Sequence, residues 1–522
     1  MTAPPDPTQP AADPGEHAPG PQPVPAQSSL VPFADALLFW LKLGFISFGG
    51  PAGQIALMHE HLVERRRWIS EKRFMHALNY CMLLPGPEAQ QLATYLGWLM
   101  HRSAGGILAG LLFVLPSFIL ITLIAWGYMA YGHLPAVSGL MEGIKPAVVA
   151  LVLVAGWRMG SRTLRQVRLG LIAIGAFVAL HLGGLPFPLV IAAAALVGLI
   201  SGRTTAPAEG PAGGRTTTPA GGPAGGHTTT PAGGPAASHP QSAAPRAATP
   251  QAATAPLHPP SAGGSAPDSA AQPGGAAPHA RALIDDDTPA PAHARARPAR
   301  LLAIAAAGLA LWALGWLLCH RLSASGTTLI DMAGFFTQAA LVTFGGAYAV
   351  LPYVHQAAVE HYGWLTSAQM LDALALGETT PGPLIMIVAF VGFVGGWTQQ
   401  IFGADSLPNA GLAAALVATY FTFLPSFIFI LAGGPLVEAT RNLPRLDATL
   451  AAITAAVVGV IASLAVVLAR AVSVRPDGGV DPLALMAVAL AWWLLARRKW
   501  PVITTLAVFG AAGVALRLTG LR

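Results

Sequence analysis

Two short motifs in this sequence carry residues that could bind an anion, and each motif occurs twice. The first motif is Ser47–Gly50, which Pro51 follows, and its second copy is Thr343–Gly346. The other motif, Pro85–Pro87, returns as Pro381–Pro383, and both motifs are displaced by the same 296 positions. Glycine and proline interrupt helices. A helix that begins at a proline turns free N–H groups and the positive end of its dipole toward an anion.

The glycines allow two interpretations. In one, the N–H groups that follow Pro51 and Pro87 cradle a tetrahedral dianion; in the other, small residues allow close packing between helices. We favour the cradle because the interruptions occur at matched positions in both copies. The residues predicted to bind the substrate are Lys42, Ser47, Gly49, Gly50, Pro51, Pro85, Gly86, Pro87, Gly345, Gly346, Pro381, Gly382 and Pro383.

Three charged residues near the motifs have candidate roles. Lys42 lies in an apolar run, where a cation is costly and indicates a function; it could neutralise the anion, or its long side chain could reach the membrane interface. Glu88 and Glu378 flank the Pro-Gly-Pro motifs and are predicted to couple transport to protons. The alternative for both carboxylates is simple capping of a helix N-terminus. Asp35 and Asp372 are further coupling candidates.

The composition places these motifs in a membrane. Of 522 residues, 54% are hydrophobic and only 10% are charged, whereas soluble domains carry about 25% charged residues. Apolar runs such as Gly106–Gly127 and Leu412–Gly433 are long enough to cross a bilayer. The net charge of +6 is small for this length and fits basic loops at the cytoplasmic face, so no nucleic-acid partner is predicted.

The repeated motifs predict a duplicated all-α polytopic membrane protein. A third motif, Leu115–Ile119, returns as Leu424–Ile428 with a displacement of 309, so thirteen extra residues lie near Trp397–Gly411. The predicted segments are a disordered N-terminal tail (1–30), a first repeat (31–201), a disordered cytoplasmic linker rich in Pro, Ala, Gly and Thr (202–300), an extra transmembrane helix (301–319) and a second repeat (329–522).

Loop charges predict opposite orientations for the two repeats. Arg65–Arg73 contains five basic residues, whereas the matching loop Val354–Gln369 has no Lys or Arg. Because basic loops stay in the cytoplasm, we predict inverted repeats, with the extra helix supplying the inversion. The second basic loop, Arg158–Arg168, falls on the same side if the Pro-Gly-Pro segment is re-entrant. Broken or re-entrant helices are therefore predicted at both motifs.

Other chemistries find less support. His59-Glu60-His61 lacks the histidine that a zinc-protease motif has four positions after the first, because Val63 stands there. No nucleophile–base pair, metal set or nucleotide-binding loop is found, so we predict neither an enzyme nor a cofactor. Glu142 and Lys145 lie one helical turn apart and are interpreted as a structural ion pair.

The motifs resemble those of the chromate ion transporter family in its long, two-domain form. The resemblance rests on Phe48–Pro51, Val63–Trp68, Leu84–Pro87 and Leu115–Phe118, and it covers both repeats. It implies a multi-pass protein of the bacterial inner membrane that exports chromate, driven by the proton-motive force, and confers chromate resistance. Sulfate or another tetrahedral oxyanion is the alternative substrate, and a homo-oligomer stays open. The second copy departs from the pattern, since Ala347 replaces the proline.

Overall fold

The structure is a computed structural model in which 31–48, 50–204, 282–285, 293, 298–323, 326–344, 347–439, 447–475 and 478–520 are described. The predicted N-terminal tail and most of the predicted linker lie outside these residues. So do Gly49, Gly345 and Gly346.

The described chain is built from α-helices. The first half contains α1 (Phe33–Ile46), α2 (Gly50–His59), α3 (Glu71–Leu83), α4 (Glu88–Tyr131), α5 (Pro135–Thr163), α6 (Val167–His181) and α7 (Phe187–Thr204). Next comes α8 (Pro298–Leu322). The second half contains α9 (Thr328–Val342), α10 (Ala347–His355), α11 (Ser367–Thr379), α12 (Ile387–Thr398), α13 (Leu407–Ala439), α14 (Asp447–Ser473), α15 (Pro482–Ala496) and α16 (Val502–Leu518).

The two halves contain the same succession of helices. A π-helical turn follows α2 at Glu60–Arg65, and its equivalent follows α10 at Gln356–His361. The long α4 is interrupted by non-helical backbone at His101 and Arg102. Its two parts, 88–100 and 103–131, therefore correspond to α12 and α13. The thirteen extra residues fall in the longer connection between α12 and α13, at the same point of the repeat.

The first motif lies at the tip of a helical hairpin in each half. Phe39 of α1 stacks edge-on against Trp68, beyond the π-helical turn, with ring centroids 5.5 Å apart. Phe335 makes the equivalent contact with Trp364 at 5.9 Å. The chain therefore reverses between α1 and α2 and returns along α1. With 14 residues in α1 and 10 in α2, these helices fall short of the roughly 20 residues needed to cross a bilayer.

The Pro-Gly-Pro motifs form the tips of two further hairpins. In the second half, Thr398 Oγ1 at the end of α12 donates a hydrogen bond of 3.1 Å to the carbonyl oxygen of Trp364, which lies just before α11. In the first half, Tyr80 of α3 and Tyr95 of α4 approach with ring centroids 6.3 Å apart. The two limbs of each hairpin thus lie side by side, as the re-entrant segment predicted from the sequence requires.

Long helices from the two halves interlock around these hairpins. The main packing partners of α5 are α15 and α16, and those of α14 are α6 and α7. Small residues permit the close approach: a Cβ atom at Gly143 of α5 would lie 2.8 Å from the Cα atom of Gly513 in α16. The core is therefore shared between the halves.

Five helices in the described part of the chain are long and apolar enough to cross a membrane. Their ranges are Glu88–Tyr131, Pro135–Thr163, Pro298–Leu322, Ala404–Pro435 and Ala448–Ser473. The third is α8, which contains the predicted extra helix. It packs on α13, where Tyr420 donates a 2.8 Å hydrogen bond to the carbonyl oxygen of Leu311. The protein is an all-α polytopic membrane protein.

A short described segment, separate from α7 and α8, lies within the range predicted as a disordered linker. Ala282–Asp285 runs alongside Arg67–Ser70 of the first half and exchanges backbone hydrogen bonds with it. Leu283 N–H donates to the carbonyl oxygen of Arg67 at 2.9 Å, and Ser70 N–H donates to that of Ile284 at 3.0 Å. Two apolar side chains in a polar stretch, Leu283 and Ile284, pack against the core and explain the local order.

Candidate functional site

The hairpin tips of the first motif are fixed by a hydroxyl side chain in each half. Ser47 Oγ donates to the carbonyl oxygen of Leu43 at 2.6 Å, which satisfies an acceptor at the end of α1. Thr343 Oγ1 donates to Ala339 in the same way, at 2.5 Å. Gly50 then begins α2 with φ +72°, a left-handed conformation that favours glycine.

The four tips meet in reciprocal pairs. The N–H of Gly86 donates to the carbonyl oxygen of Thr343 at 2.8 Å, and the N–H of Gly382 donates to that of Ser47 at 2.7 Å. Each Pro-Gly-Pro tip therefore binds the first-motif tip of the other half. Gln54 Nε2 adds a 2.5 Å hydrogen bond to the carbonyl oxygen of Gly382. The predicted motifs of both halves are brought together at one place.

The glycines of the two Pro-Gly-Pro tips are required by packing. Their φ angles are +122° at Gly86 and +102° at Gly382. A Cβ atom at Gly382 would overlap the side chain of Ser117, and one at Gly86 would overlap Ser426 Oγ and lie 2.7 Å from Gln91 Nε2. The backbone thus approaches the third repeated motif, Leu-Pro-Ser-Phe, whose serine in the first half is Ser117. At these two positions the close-packing interpretation fits.

Gly50 has different surroundings. The nearest atom to a Cβ placed there would be Cε2 of Tyr348, at 4.0 Å. Gly50 and Pro51 line a cavity of about 1100 Å³. Because the first turn of α2 lies at this cavity, its free N–H groups and positive dipole end are available to a solute. At Gly50 the geometry therefore favours the anion cradle.

The same cavity is lined by both predicted coupling carboxylates. Glu88 is 8% exposed and Glu378 is 7% exposed, and each lines the cavity wall. Tyr348 donates its hydroxyl hydrogen to Glu378 Oε1 at 2.5 Å. Glu88 begins α4, so it lies at a helix N-terminus as the capping interpretation requires; Glu378 lies one residue from the end of α11, where a carboxylate is not a favourable cap.

Sequence reasoning missed three residues of this cavity. Arg158 and Arg162, in the last turns of α5, supply positive charge to its wall, and Tyr348 holds Glu378. The two arginines were used only as signs of a cytoplasmic loop, although their spacing of four residues places them on one helix face. Tyr348 has no polar equivalent in the first half, where Ala52 occupies the matching position.

Other predicted residues lie away from the cavity. Lys42 is exposed on α1 and does not line the cavity. Ser47 is buried between the tips. The prolines Pro85, Pro87, Pro381 and Pro383 hold the tip conformations without lining it. Two further charged groups of the cavity wall are paired: His59 Nδ1 lies 3.1 Å from Glu64 Oε1, and Arg65 lies 2.5 Å from Glu60 Oε1.

The predicted pair of Glu142 and Lys145 is wrong. Lys145 Nζ instead lies 3.8 Å from Asp372 Oδ1, on α11 of the other half. Glu142 is paired with Arg517 of α16, at 3.9 Å. The helical spacing is as predicted, but α11 and α16 pack on two sides of α5 and offer each side chain a partner that sequence spacing does not reveal.

Comparison with known proteins identifies relatives for both halves. The family model described as chromate transporter matches residues 34–199 and 330–514. A chromate transport protein of Pseudomonas aeruginosa is 29% identical over 479 residues, which cover 91% of this chain and 90% of that protein. A chromate transport protein of Cupriavidus metallidurans is 25% identical over 486 residues, with 92% of each chain covered. No solved structure matches this chain.

Proposed function

The chain belongs to the chromate transporter family, and we propose that it is a secondary transporter that exports chromate across a bacterial inner membrane, driven by the proton-motive force. The observation that carries this proposal is the cavity of about 1100 Å³ at the hairpin tips. Its wall combines a helix N-terminus, two arginines and two buried carboxylates. Such export would confer chromate resistance.

Part of the cavity wall is positively charged and suits a dianion, and the two further carboxylates that line the cavity, Glu60 and Glu64, are paired with Arg65 and His59 respectively. Arg158 and Arg162 lie at one end of α5, and the N-terminus of α2 lies at the hairpin tip. A dianion attracted by the arginines would reach the N–H groups after Pro51, which donate hydrogen bonds to oxyanions. Because the arginines belong to a basic segment, and basic segments stay in the cytoplasm, the cavity opens toward the cytoplasm in this proposal.

The two carboxylates suit proton coupling better than anion binding. A permanently charged Glu88 or Glu378 would repel a dianion in the same cavity. Protons that drive export must enter as chromate leaves, so in this proposal the carboxylates take up protons after the anion has left and release them to the cytoplasm before the next anion binds. The hydrogen bond from Tyr348 fixes the orientation of the Glu378 carboxylate in the cavity wall.

Membrane energetics favour the outward direction. Moving one charge across the membrane is worth about 2.3 kcal/mol per 100 mV, so a dianion leaving a negative interior gains about twice that amount. Uptake would have to overcome this cost with more than two co-transported cations or a steep concentration gradient. The inverted arrangement of the halves, supported by the reciprocal tip contacts, provides a route for alternating access around one site.

Transport by membrane vesicles tests the proposal. Everted vesicles energised by respiration should accumulate chromate, and collapse of the potential should lower the rate. Glu88→Gln should remove the contribution of the pH gradient, whereas Asp405→Asn, which changes an exposed carboxylate away from the cavity, should behave as the wild type. Accumulation by right-side-out vesicles alone would make the protein an importer. Tighter binding of sulfate than of chromate to the purified protein would favour the alternative substrate.

A further inference from the structure

A buried carboxylate lies on the hairpin limb that ends at Glu378. Asp372 of α11 has a side chain only 4% exposed. Its Oδ2 accepts a 2.8 Å hydrogen bond from the hydroxyl of Tyr128 on α4. Its Oδ1 has no hydrogen-bond donor among the described residues. An ionised carboxylate buried in this way is costly unless it is paired.

The cation nearest to Asp372 makes an incomplete pair with it. Lys145 Nζ lies 3.8 Å from Oδ1, which is longer than the 2.7–3.2 Å of a hydrogen bond. Lys145 also has a second potential partner on its own helix, because Glu142 lies one turn earlier. Glu142 in turn lies 3.9 Å from Arg517, and its side chain is 43% exposed. The charged groups facing Asp372 are therefore Lys145 and Glu142 from α5 and, behind Glu142, Arg517 from α16.

This arrangement occurs once and joins the two halves. The position equivalent to Asp372 in the first half is His76, and the position equivalent to Lys145 in the second half is Thr454. Along α5, Lys145 is about 20 Å from Arg158 at the cavity, and along α11, Asp372 is about 9 Å from Glu378. The pair thus lies in the N-terminal half of α5, away from the end that carries Arg158, and close along α11 to a carboxylate of the cavity.

We propose that Asp372 is a proton-binding residue on the route to Glu378 from the side of the membrane opposite the arginine-bearing end of α5. When Asp372 takes up a proton, Lys145 moves from Asp372 to Glu142. The inference rests on the proposed proton-coupled function and names the side from which the proton comes. Protonation removes the negative charge that holds Lys145, and Glu142 is within one helical turn to receive it. The attachment of the α11 limb to α5 is weakened at the same time, which allows the tip that carries Glu378 to move.

Proteoliposomes containing the full-length protein separate the two driving forces. With a pH gradient and no potential, Asp372→Asn should lower the stimulation of chromate transport at least fivefold, while chromate binding to the purified variant stays within twofold of the wild type. Asp405→Asn changes an exposed carboxylate in the connection between α12 and α13 and is the matched control. Wild-type stimulation in Asp372→Asn would overturn the inference. Absence of chromate transport by the wild type under either force would instead overturn the proposed function.

A double variant distinguishes proton transfer from a merely structural ion pair. Lys145→Thr introduces the residue of the second half and leaves Asp372 unpaired, so its folded yield should fall. Adding Asp372→Asn removes the unpaired charge and should restore yield and thermal stability. In our proposal the double variant still lacks stimulation by the pH gradient. Full recovery of that stimulation would reduce the pair to a structural role.

Discussion

Replacing Gly86 or Gly382 by alanine tests whether the reciprocal tip contacts hold the transporter together. Both residues have positive φ angles, of +122° and +102°. An added Cβ atom would lie 2.7 Å from Gln91 Nε2 at the first position and 2.8 Å from Ser117 Oγ at the second. Both partner side chains are themselves buried, so the Pro-Gly-Pro tip would have to move away from them.

The expected magnitude has two parts. A left-handed backbone costs an L-residue about 1–2 kcal/mol, and inserting a carbon into a well-packed core costs about 1–3 kcal/mol. Together they weaken each tip contact by roughly 2–5 kcal/mol. Gly363 provides a matched control, because it has φ +61° and open space around it. Gly363→Ala should show only a backbone cost, and a smaller one than at the tips, because φ +61° lies in the left-handed region that L-residues adopt most readily. The difference of about 1–3 kcal/mol corresponds to roughly 5- to 150-fold in the population of paired tips.

Thermal unfolding in detergent and chromate transport in proteoliposomes would measure these effects. Gly86→Ala and Gly382→Ala should each lower the unfolding temperature further than Gly363→Ala does, and both should lower transport at least fivefold. Because the contacts are reciprocal, the two tip variants should behave alike. If either tip variant were as stable and as active as the Gly363 control, the backbone hydrogen bonds between the tips would not be what positions the site.

Three further predictions address orientation, linker and cradle. Single cysteines at Arg66 and His361, in a chain without its native cysteines, should be labelled by impermeant reagents from opposite faces of the membrane; labelling of both from one face would contradict the inverted repeat. Deleting 215–260 should preserve transport, because the roughly thirty residues left between 204 and 282 still reach roughly 30 Å. Deleting 282–285 should instead lower the folded yield, as measured by size-exclusion chromatography. Gly50→Val should lower transport at least tenfold with normal membrane insertion, because a β-branched side chain would occupy the cradle; unchanged transport would leave this glycine without a role in binding.

Sequence reasoning reached the architecture because the motifs that break helices have unambiguous local chemistry. A glycine with positive φ and a proline at a helix start restrict the backbone strongly wherever they occur. The duplication added independent information, since a break that recurs 296 positions later is not a chance feature. The re-entrant segments and the inversion of the repeats rest on loop charge and stay predictions.

The same reasoning failed where partners come from distant parts of the chain. Glu142 and Lys145 have ideal spacing for an ion pair, yet each has a partner on another helix. Lys42 is the only lysine in its apolar run, but α1 directs it away from the cavity. Tyr348 could not be found by comparing the halves, because the first half has Ala52 there. Helix-to-helix packing decides these cases, and sequence spacing contains no information on it.

The exchange of hydrogen bonds between the hairpin tips makes the two halves obligate partners in assembly. A half produced alone would expose the N–H of one Pro-Gly-Pro tip and the carbonyl oxygen of one first-motif tip, both in an apolar environment where unpaired backbone groups are costly. Its long helix, α5 or α14, would also lack the helices on which it packs. Separate halves should therefore complement each other when made in the same cell. The two halves should also evolve under mutual constraint, because a substitution at one tip changes the backbone hydrogen bond that the opposite half makes with it.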